Sequence, residues 1–377
     1  MNFTFSEEQN LLRDSIRKFV QSEYDFEKRR KLANSELGYS KENWSKFAEL
    51  GWLAVPFSEE DGGFGGGAVD VMIVMEELGK GLVLEPYLAN VVLAGSLLSK
   101  LATAEQKNHY LTAMISGEMQ FALAYSERTA RFNLASVDTT AEVAGADYVL
   151  NGAKAVVLNG HAADTLIVVA RTAGNSQDKR GISLFLVDAN AAGVTRTAYA
   201  TAEGVKVADV QFNNVRVGSN QLLGTAGAAF DALESAVDEA IVALSAEAQG
   251  VMETLLYTTV QYTKTRKQFG MPIGAFQVLQ HRMVEMFMEC EQMRSLLYMA
   301  TLHQAKGGKE AKIAASAVKA QLGKAARYVG QQAIQLHGGM GMTDELNVGY
   351  YFKRLEMMGI LFGNTDYHLA RYVELTA

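Results

Sequence analysis

The hydrophobic period of this chain changes twice, and those changes limit what it can fold into. Through residue 118 apolar side chains recur at helical spacing, as in Leu12, Ile16, Phe19 and Val20. From Gln120 they gather into short β-rich segments at 120–125, 147–150, 165–171, 182–188 and 206–212. Asn151 with Gly152, Gly174 with Asn175, and Asn213 with Asn214 read as turns between or after them. From Gly227 to the end the helical period returns. A strand module between two helical regions predicts an α+β multidomain chain. Its segments are an N-terminal all-α domain at 1–118, a middle β domain at 119–222 and a C-terminal helical domain at 223–377. At roughly 100–200 residues per domain, 377 residues accommodate that division.

Local signals refine the first region. Ser6 with Gln9 and Thr103 with Gln106 fit capping boxes, and helices are expected near 41–50, 69–80 and 86–101. The glycine-rich stretch 61–67 misses the spacing of a dinucleotide fingerprint and lacks a βαβ surround, so it reads as a loose loop. The net charge is −7, and the longest basic run, 28–31, reads as a solvated helix end; nucleic-acid binding is not expected. A single cysteine, Cys290, excludes an internal disulfide, and the six scattered histidines give no metal-ligand spacing. No apolar run approaches the roughly 20 residues of a membrane span. The opening residues from Met1 have neither a signal-peptide nor a transit-peptide layout, so a soluble, cytoplasmic protein is expected.

The most informative chemistry lies at 262–277, between helical patterns at 230–262 and 278–304. Gly270, Pro272 and Gly274 force a turn there, and the corner carries a cation (Arg266), a ring (Phe269) and an amide (Gln277). A guanidinium can hold a pyrophosphate through paired donors and a ring can cover an adenine. An ordinary helix–turn–helix with solvated basic residues fits the same residue types.

The order of residues is more specific than their types. R-K-Q-F-G-x-P-I-x-x-F-Q from Arg266, and Q-x-x-G-G-x-G from Gln335, resemble the acyl-CoA dehydrogenase family. The S-E-E-Q-x-x-L-R-D opening and the helix–β–helix order extend the resemblance over essentially the whole chain. It implies a middle β-barrel or sandwich, a C-terminal four-helix bundle, and FAD-dependent α,β-dehydrogenation of an acyl-CoA thioester to the enoyl-CoA. Arg266, Phe269, Gln277, Gln335, Gly338, Gly339, Thr365 and Ser126 are implied FAD contacts, the 266–277 corner serving the flavin of a neighbouring subunit. An electron-transfer flavoprotein is the implied acceptor. A dimer of dimers, or a heterotetramer with a related subunit, is the implied assembly.

The departures from the family pattern bear on mechanism. Where many members have E-G-T with a catalytic glutamate, this chain has Gly363, Asn364 and Thr365. Val156 and Leu158 replace a flavin-stacking tryptophan and a threonine, and residues 131–133 replace G-S-D. Some members carry the base on the helix before the corner, where two candidates stand here. Glu239 follows Glu234 and Asp238, a cluster that also reads as a favourable anionic helix start. Glu247 is the only carboxylate from 240 to 252, among Ala243, Ala246, Ala248 and Gly250, and is the favoured base; a bond to a neighbouring helix or subunit is the alternative. The A-E-A-x-G pattern resembles members acting on bulky, steroid side-chain or dicarboxylyl-CoA esters. No cation for a distal carboxylate is anchored, although Arg128, Arg131 and Arg354 are available. Two alternatives accompany the dehydrogenase: a non-catalytic or half-site subunit of a heteromeric enzyme, and a flavin oxidase on the same fold.

Overall fold

A computed structural model describes residues 4–377; Met1–Phe3, which carry part of the targeting expectation, lie outside the described residues. The chain divides into two compact units. One contains the described residues up to Lys31 with Ala68–Val83 and Ile241–Ala377; the other contains Leu32–Gly67 and Leu84–Ala240.

The second unit holds α3 (Lys41–Glu49), α5 (Gly95–Leu101) and two short helices, α6 (Ala104–Gln106) and α7 (Thr112–Ile115). A π-helical stretch, Leu88–Ala94, leads into α5. Its sheet has eight strands: β1 (Phe121–Ala124), β2 (Thr140–Ala144), β3 (Asp147–Leu158), β4 (Thr165–Arg171), β5 (Ile182–Asp188), β6 (Val194–Ala200), β7 (Lys206–Val217) and β8 (Leu222–Leu223). The order is β6-β7-β3-β2-β4-β5-β8, with β1 parallel to β4. β4 is buried at every position and β5 at all but the last, which is why both read as unbroken apolar runs rather than alternating ones. Leu150, Leu166, Val168, Phe185, Val187 and Val210 are central to the core, each contributing roughly 1.5–3 kcal/mol by burial.

Asn151 and Gly152 do not make the turn expected of them. They lie inside β3, where the register with β7 slips between Leu150 and Gly152. Gly152 has φ of 145°, and a Cβ there would fall 2.6 Å from Thr139 Oγ1. The dipeptide marks a bulge. The glycine-rich loop is also tighter than expected, since Gly63 N bonds Ser58 O, Gly65 N bonds Phe57 O and Gly66 N bonds Val55 O. Backbone bonds that the missing side chains leave unobstructed hold it in place.

The first unit is helical: α1 (Glu7–Glu23), α2 (Phe26–Ala33, ending just beyond it), α4 (Ala68–Lys80), most of α8 (Phe230–Thr265), α9 (Gln277–Gln304), α10 (Gly308–His337), α11 (Val348–Ile360) and α12 (Thr365–Thr376). α10 packs against α9, α11 and α12. Both capping boxes form as the sequence predicts, Ser6–Gln9 on α1 and Thr103–Gln106 on α6. The basic run is not wholly solvated: Arg29 is buried, its Nε donating to Leu82 O at 3.0 Å with its guanidinium over the Tyr350 ring. On α9, Met286, Cys290 and Met293 are buried, but Phe287 is half exposed alongside Val284 and Met288. Among the described residues no helix is long and apolar enough to cross a membrane, and no cluster of His, Cys, Asp or Glu could hold a metal ion.

Candidate active site

Between α8 and α9 the chain makes a tight two-stranded ribbon, β9 (Lys267–Gln268) against β10 (Met271–Pro272). Phe269 and Gly270, at its tip, have φ of 54° and 82°, the pair of positive values a two-residue hairpin turn of type I′ requires. Gly270 accepts this without cost; Phe269 does not, and its ring is 91% exposed. Arg266 and Gln277 flank the ribbon, both exposed, and the Arg266 guanidinium has no hydrogen-bond or ion-pair partner among the described residues. Tyr262, one turn before Arg266, stacks on His337 at 4.3 Å between ring centroids. That contact brings the end of α8 beside the end of α10, where Gln335, Gly338 and Gly339 are exposed. Gly338 terminates α10 with φ of 59°, and a Cβ built on either glycine meets nothing within 4 Å. An unengaged guanidinium, an uncovered ring, an amide and two open glycines suit a dinucleotide, so this corner fits FAD.

Thr365 and Ser126 are placed differently. Thr365 opens α12 behind the Asn364 cap, and its hydroxyl donates to Ala320 O at 3.3 Å. Gly323 permits that approach, since a Cβ there would lie 2.2 Å from Thr365 Oγ1. Ser126, half-buried, accepts through its carbonyl from Ala155 N at 2.8 Å. The adjoining Glu127 is buried and meets the ammonium of buried Lys154 at 2.6 Å, with Asp138 N, Thr139 N and the Thr139 hydroxyl also donating to it. Burial raises the Glu127 carboxyl, but Lys154 and these donors outweigh it and hold the group below its ordinary range. Val156 lies at a second register slip in β3 with φ of 53°, a strained value for a β-branched residue. Its N–H donates to Asp209, which also receives Tyr199 OH and Arg128.

The two candidate bases on α8 have different surroundings. Glu239 is engaged by Lys100, by Ser96 at 2.6 Å and by Ser235 at 3.2 Å. Glu247 is 5% exposed, and Arg354 of α11 holds it in a fork, Nε to Oε1 and Nη2 to Oε2, each 2.8 Å. The small residues around it have a measurable role. A Cβ on Gly250 would lie 2.0 Å from Glu76 O, and one on Gly79 of α4 would lie 2.2 Å from Glu247 O. α4 therefore lies directly on the backbone that carries Glu247.

Gly363 follows α11 in a loop that two buried side chains fasten from below. Lys319, fully buried on α10, donates to Gly359 O at 3.0 Å and Gly363 O at 2.8 Å. His368 Nε2 donates to Phe362 O at 2.9 Å. Burial lowers Lys319 to about 7 and His368 to about 4, so the imidazole is neutral at neutral pH. Sequence reasoning passed over Lys319, although it has the same signal as Glu247, a charge set among Ala314, Ala315, Ala317 and Ala320. It also left Arg354 unanchored, because its partner lies 107 residues away.

Helical, strand and helical segments follow in this order, with an exposed corner between α8 and α9 whose residue types fit a dinucleotide. Family models for the N-terminal, middle and C-terminal domains of acyl-CoA dehydrogenases match residues 6–118, 122–215 and 230–374. The chain is 31% identical to the probable acyl-CoA dehydrogenase YngJ of Bacillus subtilis over 97% of each chain. Its fold is similar to butyryl-CoA dehydrogenase from Megasphaera elsdenii, with TM-score 0.90 and 26% identity over 100% of both chains. It is similar too to a chain of the ChsE4–ChsE5 complex from Mycobacterium tuberculosis, with TM-score 0.90, 27% identity, and 99% and 98% of the two chains covered. The chain belongs to the acyl-CoA dehydrogenase family of FAD-dependent oxidoreductases.

Proposed function

We propose that the protein dehydrogenates an acyl-CoA between its α and β carbons, with Glu247 as the base that removes the α-proton. The observation that carries this reading is the buried carboxylate of Glu247 on α8, the only carboxylate from 240 to 252, with small residues on either side of it in the sequence. The α-proton of a thioester is weakly acidic, so the base must be fixed and partly desolvated. Glu247 meets both conditions, and its fork leaves lone pairs on both oxygens free to accept a proton. Glu239 is engaged by an ammonium and two hydroxyls and is the less suited of the two. In the overall step the α C–H bond breaks with its proton going to a Glu247 oxygen, and the β C–H bond breaks with its electron pair leaving as hydride. Bound FAD supplies the acceptor for that hydride at N5. Arg266, Phe269, Gln277, Gln335, Gly338 and Gly339 would hold the dinucleotide, with Thr365 and Ser126 as further contacts.

The assembly extends beyond one chain. Phe269, Val278 at 63% exposed and Phe287 at 52% present apolar surface along the corner and α9, which supports self-association or pairing with a related subunit. A dimer of dimers reoxidised by an electron-transfer flavoprotein, with segments bounded at 1–118, 119–222 and 223–377, completes the proposal. A second reading, a half-site subunit of a heteromeric enzyme, is favoured by Gly363 and by the firm pairing of Glu247 with Arg354.

Anaerobic titration of the flavin-loaded protein with straight-chain, branched and ring-bearing acyl-CoAs, following absorbance at about 450 nm, tests both. Bleaching by one class, abolished in Glu247→Gln and little changed in Glu239→Gln, is expected. Full bleaching in Glu247→Gln with loss in Glu239→Gln would overturn the base assignment. Bound flavin that no thioester bleaches until a second subunit is added would favour the half-site reading.

A further inference from the structure

We infer that Arg354 is the positioning residue of the base, fixing the plane of the Glu247 carboxylate; the inference rests on Glu247 being that base. A glutamate side chain has three torsions, and a single hydrogen bond leaves its carboxylate free to turn. Two parallel bonds from one planar guanidinium remove that freedom, which is what the paired 2.8 Å contacts do. Both partners are shielded from water, with side-chain exposures of 13% for Arg354 and 7% for Glu247.

The two ends of this arrangement are themselves anchored. The backbone of Glu247 is fixed by the close passage of Gly79, and that of Gly250, three residues on, by Glu76 O. On the other side, α11 carries Tyr351 three residues before Arg354, and its hydroxyl donates to Lys80 O at 2.7 Å. Leu355 and Met358 are also buried on α11, which packs against α10. α4 thus supports both helices, through Gly79 at the base and Lys80 at the arginine's helix. The carboxylate has roughly four acceptor directions, and the fork uses two, so orientation is imposed without blocking proton acceptance. A lysine could neutralise the charge as a point but could not set the plane. The same arginine is thereby withdrawn from recognising a distal carboxylate on the acyl chain.

The test is a single-turnover measurement on the flavin-loaded enzyme, using the thioester that bleaches the wild type fastest. Arg354→Lys is expected to slow the limiting bleaching rate about 100-fold, the scale of a misplaced reacting group, while half-saturating thioester concentration shifts less than about twofold. If the arginine acts through the carboxylate, adding Arg354→Lys in a Glu247→Gln background should slow the residual rate no further. If Arg354→Lys does not accumulate folded, Arg354→Gln, which keeps a single donor nitrogen but loses the fork, serves in its place. A wild-type bleaching rate in Arg354→Lys would overturn the inference, as would a double variant slowed by the product of the two single effects. Failure of the base assignment is seen separately: Glu247→Gln alone would bleach normally, or no thioester would bleach the wild type, and the inference would fall with it.

Discussion

The family resemblance puts Gly363 where many members carry their base, and its surroundings predict the cost of putting a side chain there. Its φ is 119°, outside the range an L-residue readily adopts, and a Cβ would lie 2.5 Å from Tyr367 Cδ1 and 2.6 Å from His368 Nε2. Gly363→Ala therefore incurs about 1–3 kcal/mol of backbone strain. It must also displace the imidazole that donates to Phe362 O, a bond worth about 1 kcal/mol. The combined loss is roughly 2–4 kcal/mol, enough to lower the unfolding midpoint by about 6–12 °C for a cooperative unit of this size. Thermal unfolding followed by circular dichroism on matched flavin-loaded samples measures it. Gly363→Glu meets the same wall and is expected to lose stability rather than gain a base, with the bleaching rate of a Glu247→Gln background unrestored. A Gly363→Ala midpoint within about 2 °C of wild type would refute this reasoning, since the loop would then accommodate a Cβ by small shifts. Restoration of turnover by Gly363→Glu in that background would refute it more directly.

Two further predictions concern the cofactor corner and the buried lysine. Phe269 is almost fully exposed and meets its own chain edge-to-face at the Phe276 ring, 6.1 Å between centroids, so Phe269→Ala should cost no more than about 1 kcal/mol of folding stability yet reduce retained FAD at least about tenfold, read from the flavin-to-protein absorbance ratio after gel filtration; unchanged FAD would exclude the ring as a contact. Lys319, lowered to about 7 when folded against an ordinary value of 10.5, binds its proton less tightly in the native state than in the unfolded chain. Between those values the unfolded chain holds more protons, so stability rises as pH increases from about 7 toward 10. Chemical denaturation at intervals across that window should show the rise in wild type and a shallower one in Lys319→Met; equal slopes would mean the ammonium is not destabilised by burial.

Much of the architecture was legible because it depends on local periodicity. The change from helical to strand spacing at Gln120 and back at Gly227 locates the sheet, and both capping boxes formed where short polar side chains stood three residues before Gln9 and Gln106. Asn151 and Gly152 misled for a definite reason. Residue types that favour a turn also favour a bulge, and only the partner strand decides between them. Arg29 misled because four basic residues in a row look solvated, whereas a neighbouring carbonyl and an aromatic ring can bury one of them. The glycine loop looked loose for a similar reason, since glycines are as useful for close backbone bonding as for flexibility.

The candidate site divides along the same line. Residue order alone put a cation, a ring and an amide at the 266–277 corner and isolated Glu247 among small residues, while the family resemblance put Gly363 at the usual glutamate position. What those residues touch was settled by packing. It gave Glu247 to Arg354, gave Glu239 to Lys100 and two serines, and fastened the Gly363 loop to Lys319 and His368. Most of these pairings are distant in the chain: Arg354 lies 107 positions from Glu247, Lys100 lies 139 from Glu239, and Lys319 lies 44 from Gly363. Two are near: Ser235 lies four positions from Glu239 on the same helix, and His368 meets Phe362 at a backbone carbonyl, which carries no residue signature. Charge type is written in the chain; a charge's partner depends on how the helices pack.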